Sequence, residues 1–247
     1  MIFTTTELIM ITMMSIVSIA IVASHLVFTN TPSEMKQRIK SWWIMQGVLF
    51  IAISYDYRVF IGILSLGILI SIKELFNVHK KGDPENKKIA NKGTLAIFFL
   101  LLLLLTNLTS LGASERYEFA GLILFLLLNT QLSDVLQYCF GKTFGKHKLC
   151  PSISPNKTIE GALGGIISVM ALSYFAGPEF LGIDPKDSMI LSLILSVLGI
   201  VGDLLVSKYK RYNKIKDMGD IIPGHGGVLD RIDSLLISSM AFTVFLL

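Results

Sequence analysis

Apolar residues in this chain come in long runs broken by short charged segments, and sustained alternation of apolar and polar positions is absent. Runs approaching the roughly 20 residues that carry a helix across a hydrocarbon core occur at residues 7–29, 42–54, 57–73, 93–111, 117–138, 158–177, 188–207 and 232–247. The pattern predicts an all-α, polytopic integral membrane protein with about eight transmembrane helices. It argues against a porin-like barrel, whose strands alternate outward apolar and inward polar side chains. The second run is short and is joined to the third by SYDYR, so the two read as a hairpin or as one bent element. The stretch LAIFFLLLLLL, residues 95–105, has the simplicity expected of a lipid-facing helix. At the start, MIFTTTELIM carries no basic segment, and the apolar run behind it is longer than a signal core, so it is expected to be a retained first span.

Composition agrees with this reading. The 247 residues have a mean hydropathy of +0.65 and are 52% hydrophobic and 16% charged, against about 25% charged in an ordinary soluble domain. The formal net charge is +4, and its distribution orients the chain. With eight spans, nineteen lysines and arginines fall in loops on one side, and only Arg58, Arg116 and Lys186 on the other. The positive-inside rule then sets the basic loops in the cytoplasm and both termini outside. Residues 1–92 read as amino-terminal helices with basic loops, and 93–247 as the region that carries the chemistry. Cys139 and Cys150 lack metal-ligand or CxxC spacing and suggest no function.

Three segments on the basic side hold polar residues that are awkward in a membrane. In NTQLSDVLQY, residues 129–138, Thr130, Asp134 and Gln137 recur at helical spacing and are expected to share a face turned to the bundle interior or a wet cavity. In GKTFGKHKLCPSISPNKTIEGALGG, residues 141–165, the GKT is not a phosphate-binding loop, because that motif needs glycine where the chain has Leu136. SPNKT reads instead as a helix start, with Ser154 as cap, Pro155 at the first position and Lys157 in the first turn. A lysine there opposes the helix dipole unless an anion such as phosphate is held by both.

The third segment runs from Gly202 through KDMGDIIPGHGGVLDRIDS, residues 216–234. At about 100° per residue, Ser207 and Lys210 each lie within about 40° of Asp203 on the same helical face, with Arg211 beside them. Asp230 and Asp233 are three apart and share a face if helical. Before them, Pro223, Gly224, Gly226 and Gly227 can turn the chain sharply and expose amides as an anion nest. Carboxylates from two helices, beside fixed cations and backbone donors, suit a divalent metal with a polyphosphate. Mg²⁺ takes one or two carboxylates plus phosphate oxygens and needs no histidine or cysteine cage.

SKYKRYNKIKDMGDIIPGHGGVLDRID resembles the signature of the phosphatidate cytidylyltransferases, or CDP-diacylglycerol synthases. That signature runs Ser, two variable residues, Lys-Arg, a spacer, Lys-Asp, then Pro-Gly-His-Gly-Gly and Asp-Arg-x-Asp. Upstream, FGKHKLCPSISPNKTIEGALGG is similar to a second block of that family, so the resemblance covers about residues 130–240. Val206, where the family often has an acidic residue, and the VLQY after Asp134 depart from the pattern and mark a divergent branch.

The resemblance implies an all-helical membrane enzyme that couples CTP to phosphatidate or a related lipid phosphate and releases pyrophosphate. It also implies a Mg²⁺ requirement, with a monovalent cation left open, and assembly as a homodimer. Asp203 and Asp230 would be the metal-binding carboxylates, and Lys210 and Arg211 would complete the catalytic group. Ser207, Lys216, Asp217, His225, Gly226, Gly227, Arg231 and Asp233 fall on positions that contact nucleotide and phosphate or support the site. Lys157, with Ser154, would hold substrate phosphate, and Asp134 would face them. His225 is expected to be structural or phosphate-contacting, since an ionised phosphate nucleophile needs no base. Membrane lipids are expected partners and nucleic acid is not. Two rival functions are a CTP-dependent kinase of the polyprenol or phytol type, and a transporter or ion channel with Asp134 and Asp203 along its path.

Overall fold

The structure, a computed structural model, describes residues 32–81, 87–113 and 118–246. The expected span at 7–29 lies outside the described residues. The elements in chain order are α1 Pro32–Tyr55, α2 Tyr57–Lys81, α3 Lys87–Gly112 and α4 Phe119–Leu127. A π turn, Leu128–Leu132, carries α4 straight into α5 Ser133–Phe144. A hairpin of β1 Lys148–Cys150 and β2 Ser154–Thr158 follows, then α6 Ile159–Leu181 and α7 Pro185–Tyr212. The one-turn α8 Leu229–Ile232 and α9 Leu235–Leu246 close the chain.

Among the described residues, five helical stretches are long and apolar enough to cross a membrane: Tyr57–Lys80, Ala90–Gly112, Phe119–Phe144, Ile159–Leu181 and Pro185–Tyr212. The all-α membrane class therefore holds, with the small hairpin as its exception. Two expected spans come out shorter. The apolar part of α1 is only Trp43–Ile53, and α9 has 12 residues. α1 and α2 are separate helices that meet at Asp56, whose carboxylate accepts the Arg58 amide at 2.7 Å. α7, with 28 residues, is about 42 Å long and outreaches a hydrocarbon core of about 30 Å.

Close helix packing shapes the end of the bundle that carries the polar residues. Gly161 and Gly165 of α6 let it lie directly on α5: a Cβ on Gly161 would fall 2.6 Å from the Gln137 carbonyl oxygen, and one on Gly165 3.0 Å from that of Ser133. Small residues four apart are the usual means by which membrane helices approach closely. α7 and α6 are joined by a three-residue link. Gly182 ends α6 at φ +63° and Asp184 caps α7 through the Lys186 amide. The apolar core runs through α3, α4, α7 and α9, with Leu101, Leu104, Leu108 and Leu122 fully buried and the Phe125 and Phe242 rings stacked at 6.1 Å.

Asn129 anchors the π turn. Its side-chain oxygen accepts from Ser173 of α6 at 3.1 Å and from Ser192 of α7. Thr130, Asp134 and Gln137 turn to the bundle interior or to the cavity, the two surroundings expected for them. Thr130 is buried and donates to the Leu126 carbonyl at 2.9 Å, whereas Asp134 and Gln137 reach the polar cavity.

α7 also runs close beneath the turn before α9, where a Cβ on Gly202 would lie 2.5 Å from the Asp233 carbonyl oxygen. Gly202→Val is expected to destabilise the protein by about 1–3 kcal/mol, the usual cost of overpacking, read as a lower thermal midpoint in detergent. An unchanged midpoint would show this contact to be loose.

Candidate active site

A cavity of about 220 Å³ opens where α5, β2, α7 and α8 converge. Asp134, Gln137 and Tyr138 reach it from α5, and Asn156, Lys157 and Thr158 from β2. Asp203 of α7, Asp230 of α8 and the following Asp233 complete its acidic wall. Sequence spacing thus foresees all four carboxylates of the cavity and its lysine.

The hairpin delivers Lys157 differently from expectation. Residues 154–158 form a strand paired with β1, not the first turn of a helix. Pro155 is tolerated because a two-stranded ribbon leaves edge amides free of ladder bonds. The helix cap is Thr158, whose hydroxyl accepts the Gly161 amide at 3.1 Å. Ser154 pairs with Cys150, outside the lining of the cavity. The hairpin is latched to α6 by Glu160, which accepts the Lys146 amide at 3.0 Å and pairs with the His147 ring at 2.6 Å.

Two ion pairs organise the interior. Lys157 lies 2.7 Å from Asp203 and 3.8 Å from Asp134. Burial works against the charge of Lys157, but Asp203 and then Asp134 outweigh it and hold the ammonium above its ordinary pKa. Ser207, one turn along α7, donates to the other oxygen of Asp203 at 3.2 Å. Behind the cavity wall, Lys210 donates to Asp230 at 2.7 Å. This pair is the drier one, with side chains 9% and 3% exposed.

Asp230 is also the hub of the glycine-rich loop. Its second oxygen accepts the Met218 amide at 2.8 Å and the Gly227 amide at 3.0 Å. Gly226 adopts φ +86°, and a Cβ there would lie 2.9 Å from the same oxygen. The loop amides expected to form an anion nest for a ligand are therefore partly taken by the protein's own carboxylate.

The remaining expected residues surround the cavity. Arg211 is exposed and donates to the Ile153 and Ile215 carbonyls at 3.1 and 2.9 Å, tying the hairpin turn to the chain after α7. Arg231 donates to the His225 carbonyl at 2.9 Å. The Nδ1 of His225 lies 2.8 Å from the Ser41 hydroxyl. Lys216 and Asp217 are exposed on the loop. Sequence reasoning missed Asn156, Tyr138 and two residues outside the motif region, Ser41 and Glu74. Glu74, a lone buried acid in an apolar helix, was the detectable signal.

Four carboxylates line this cavity, with the Lys157 ammonium among them and that of Lys210 behind the wall. Among the described residues, histidine, cysteine and acidic side chains do not converge in threes on one point as a preformed metal cage. An oxygen-only pair of carboxylates is the donor set that Mg²⁺ accepts when phosphate oxygens complete its shell, and Asp203 and Asp230 fit that requirement. Asp230 already accepts three hydrogen bonds, which leaves about one lone-pair position for a cation.

Residues 84–247 match the model of the cytidylyltransferase family. The chain belongs to the cytidylyltransferase family. Every cavity residue lies within the matched stretch. The chain is 46% identical over 123 residues to the phosphatidate cytidylyltransferase of Staphylococcus saprophyticus, covering 49% of this chain and 47% of that protein. It is 46% identical over 125 residues to the phosphatidate cytidylyltransferase of Staphylococcus aureus strain COL, with the same coverage. It is 41% identical over 127 residues to the uncharacterized protein YnbB of Escherichia coli K12, covering 51% of this chain and 43% of that one. The chain thus spans about half the length of the curated relatives it matches.

Lys210→Met should destabilise the protein by about 3–5 kcal/mol, because it leaves Asp230 buried without its counter-charge. Lys210→Met combined with Asp230→Leu should recover much of that loss. Thermal unfolding of the purified variants in detergent checks both, and equal losses in the single and double variants would show that the pair is not what holds the region.

Proposed function

We propose that the protein transfers the cytidylyl group of CTP to phosphatidate or a closely related lipid phosphate, forming CDP-diacylglycerol and pyrophosphate. The observation that carries this reading is the cavity in which Lys157, Asp203 and Asp230 meet at one end of a membrane bundle, in a chain of the cytidylyltransferase family.

A lipid phosphate oxygen attacks the α-phosphorus of CTP and the bond to the β-phosphate oxygen breaks. The nucleophile is already ionised, so no residue need act as a base. Lys157 is the ammonium that faces the cavity, and it meets phosphate charge at the mouth. Mg²⁺ held by Asp203 and Asp230 would supply Lewis-acid neutralisation of the triphosphate, the electrostatic contribution that dominates phosphoryl transfer. Ser207 and Lys210 hold those two carboxylates in place from behind. The cofactor role of Mg²⁺, an accompanying monovalent cation and a homodimeric assembly belong to the same reading.

The cavity is read as cytoplasmic. The five long helices follow one another, so α2, α5 and α7 end on a common side if each crosses once, and those ends carry the lysine-rich loops. Eight spans with both termini outside complete this topology. CTP would then arrive from the cytoplasm while the tails of the lipid acceptor stay in the inner leaflet.

Purified protein with Mg²⁺, phosphatidate and CTP labelled on cytosine should place the label in lipid, and label on the γ-phosphate should leave as pyrophosphate. The opposite partition would show a CTP-dependent lipid kinase, and solute flux without CTP turnover a transporter. Asp203→Asn should lower the rate by about two orders of magnitude, and near-normal turnover at saturating Mg²⁺ would overturn the metal assignment.

A further inference from the structure

Two amino-terminal helices reach into the glycine-rich loop from outside the family-matched residues 84–247. On α2, Glu74 is buried, and its two carboxylate oxygens accept the amides of Val228 and Leu229, each at 3.0 Å. Gly219 and Gly227 form the niche for this carboxylate. A Cβ on Gly227 would lie 2.6 Å from one carboxylate oxygen, and a Cβ on Gly219 2.7 Å from the other. The neighbouring Gly227 amide goes to Asp230, so three successive amides, 227 to 229, are divided between two acids. On α1, the Ser41 hydroxyl donates to the Pro223 carbonyl at 2.9 Å and lies 2.8 Å from His225 Nδ1. The loop is therefore gripped at two points, by Ser41 near its tip and by Glu74 where it enters α8.

A carboxylate kept out of water is costly unless it is fully hydrogen-bonded. Here its bonds go to the segment that sets the direction of Asp230, which reaches the cavity one residue after Leu229. A shift of the Val228 and Leu229 amides would turn Asp230 away from Lys210 and from the cavity.

We propose that Glu74 is a positioning residue for the cytidylyl-transfer site: from α2 it holds the loop so that Asp230 faces the cavity, with Ser41 of α1 as a second anchor. This assignment rests on the cytidylyltransferase reading above. It makes the amino-terminal helices a structural part of the site. It also gives the paired glycines 219 and 227 a role as the seat of a carboxylate from elsewhere in the chain.

The test uses the full chain in detergent with added phospholipid, and compares wild type with Glu74→Gln and Ser41→Ala. In Glu74→Gln the amide keeps the volume but turns one acceptor into a donor facing a backbone N–H. Its kcat for cytidylyl transfer should fall about 10- to 100-fold, as for other groups that orient a ligating carboxylate. Hydrogen exchange should accelerate across residues 218–230 and stay at the wild-type rate in α6 and the body of α7. Ser41→Ala should accelerate exchange at residues 222–226 with a smaller loss of rate, and it carries the assignment if Glu74→Gln does not fold. An unchanged kcat, or exchange that rises equally in all helices, would overturn the positioning role. Wild-type protein that does not turn over CTP overturns the cytidylyl-transfer reading itself, and is recognised without any variant.

Discussion

The Asp230 carboxylate, closed on one oxygen by Lys210 and on the other by the amides of Met218 and Gly227, joins α7, the loop after it and α8. A lysine and a carboxylate removed from water lose hydration that their mutual attraction recovers only when further hydrogen bonds satisfy the remaining lone pairs. Both amides meet that condition, and the loop must bend to supply them. The left-handed backbone at Gly226 and its missing side chain follow directly, because the Asp230 oxygen occupies the space a Cβ would need. Gly226 is here a steric consequence of one buried carboxylate, as Gly219 and Gly227 are of another, Glu74.

A second acid–base pair fixes the opposite wall. Lys157 comes from a hairpin whose strand turns it toward Asp203 and, at longer range, Asp134. The close approach of α6 to α5 through Gly161 and Gly165 brings Asp134 and Gln137 to the same side. None of these residues is adjacent in sequence to Asp230. They meet because helix packing at glycines draws α5, α6 and α7 together beneath the hairpin and the loop.

The bundle was legible wherever the decisive quantity is a sum over many residues. Long apolar runs mark α2 to α7, and charge and spacing mark the four carboxylates and Lys157. What escaped depends on contacts between distant residues. The π turn at 128–132 is anchored by Asn129 to Ser173 and Ser192, partners 44 and 63 positions away, and regular helical spacing does not announce it. SPNKT has the residues of a helix start, yet pairing with β1 and the latch of Glu160 on 146–147 make it a strand. The motif region also drew attention from Glu74, whose partners are backbone amides 154 and 155 positions further on.

The division of the loop amides bears on how phosphate is recognised. In an open nest, successive N–H groups point at the ligand and carry its charge. Here the amides of Gly227, Val228 and Leu229 are already bonded to Asp230 and Glu74, and the Arg211 guanidinium is bonded to backbone carbonyls. On the proposed cytidylyl-transfer reading, charge on a triphosphate would be met at the cavity by Lys157 and by a cation held between carboxylates. Point charges can follow a phosphorus centre whose charge moves from one oxygen to another, whereas a nest fixes a single geometry. On the same reading the glycine-rich loop would serve the reaction by aiming one carboxylate, and the acids that line the cavity would receive the divalent ion.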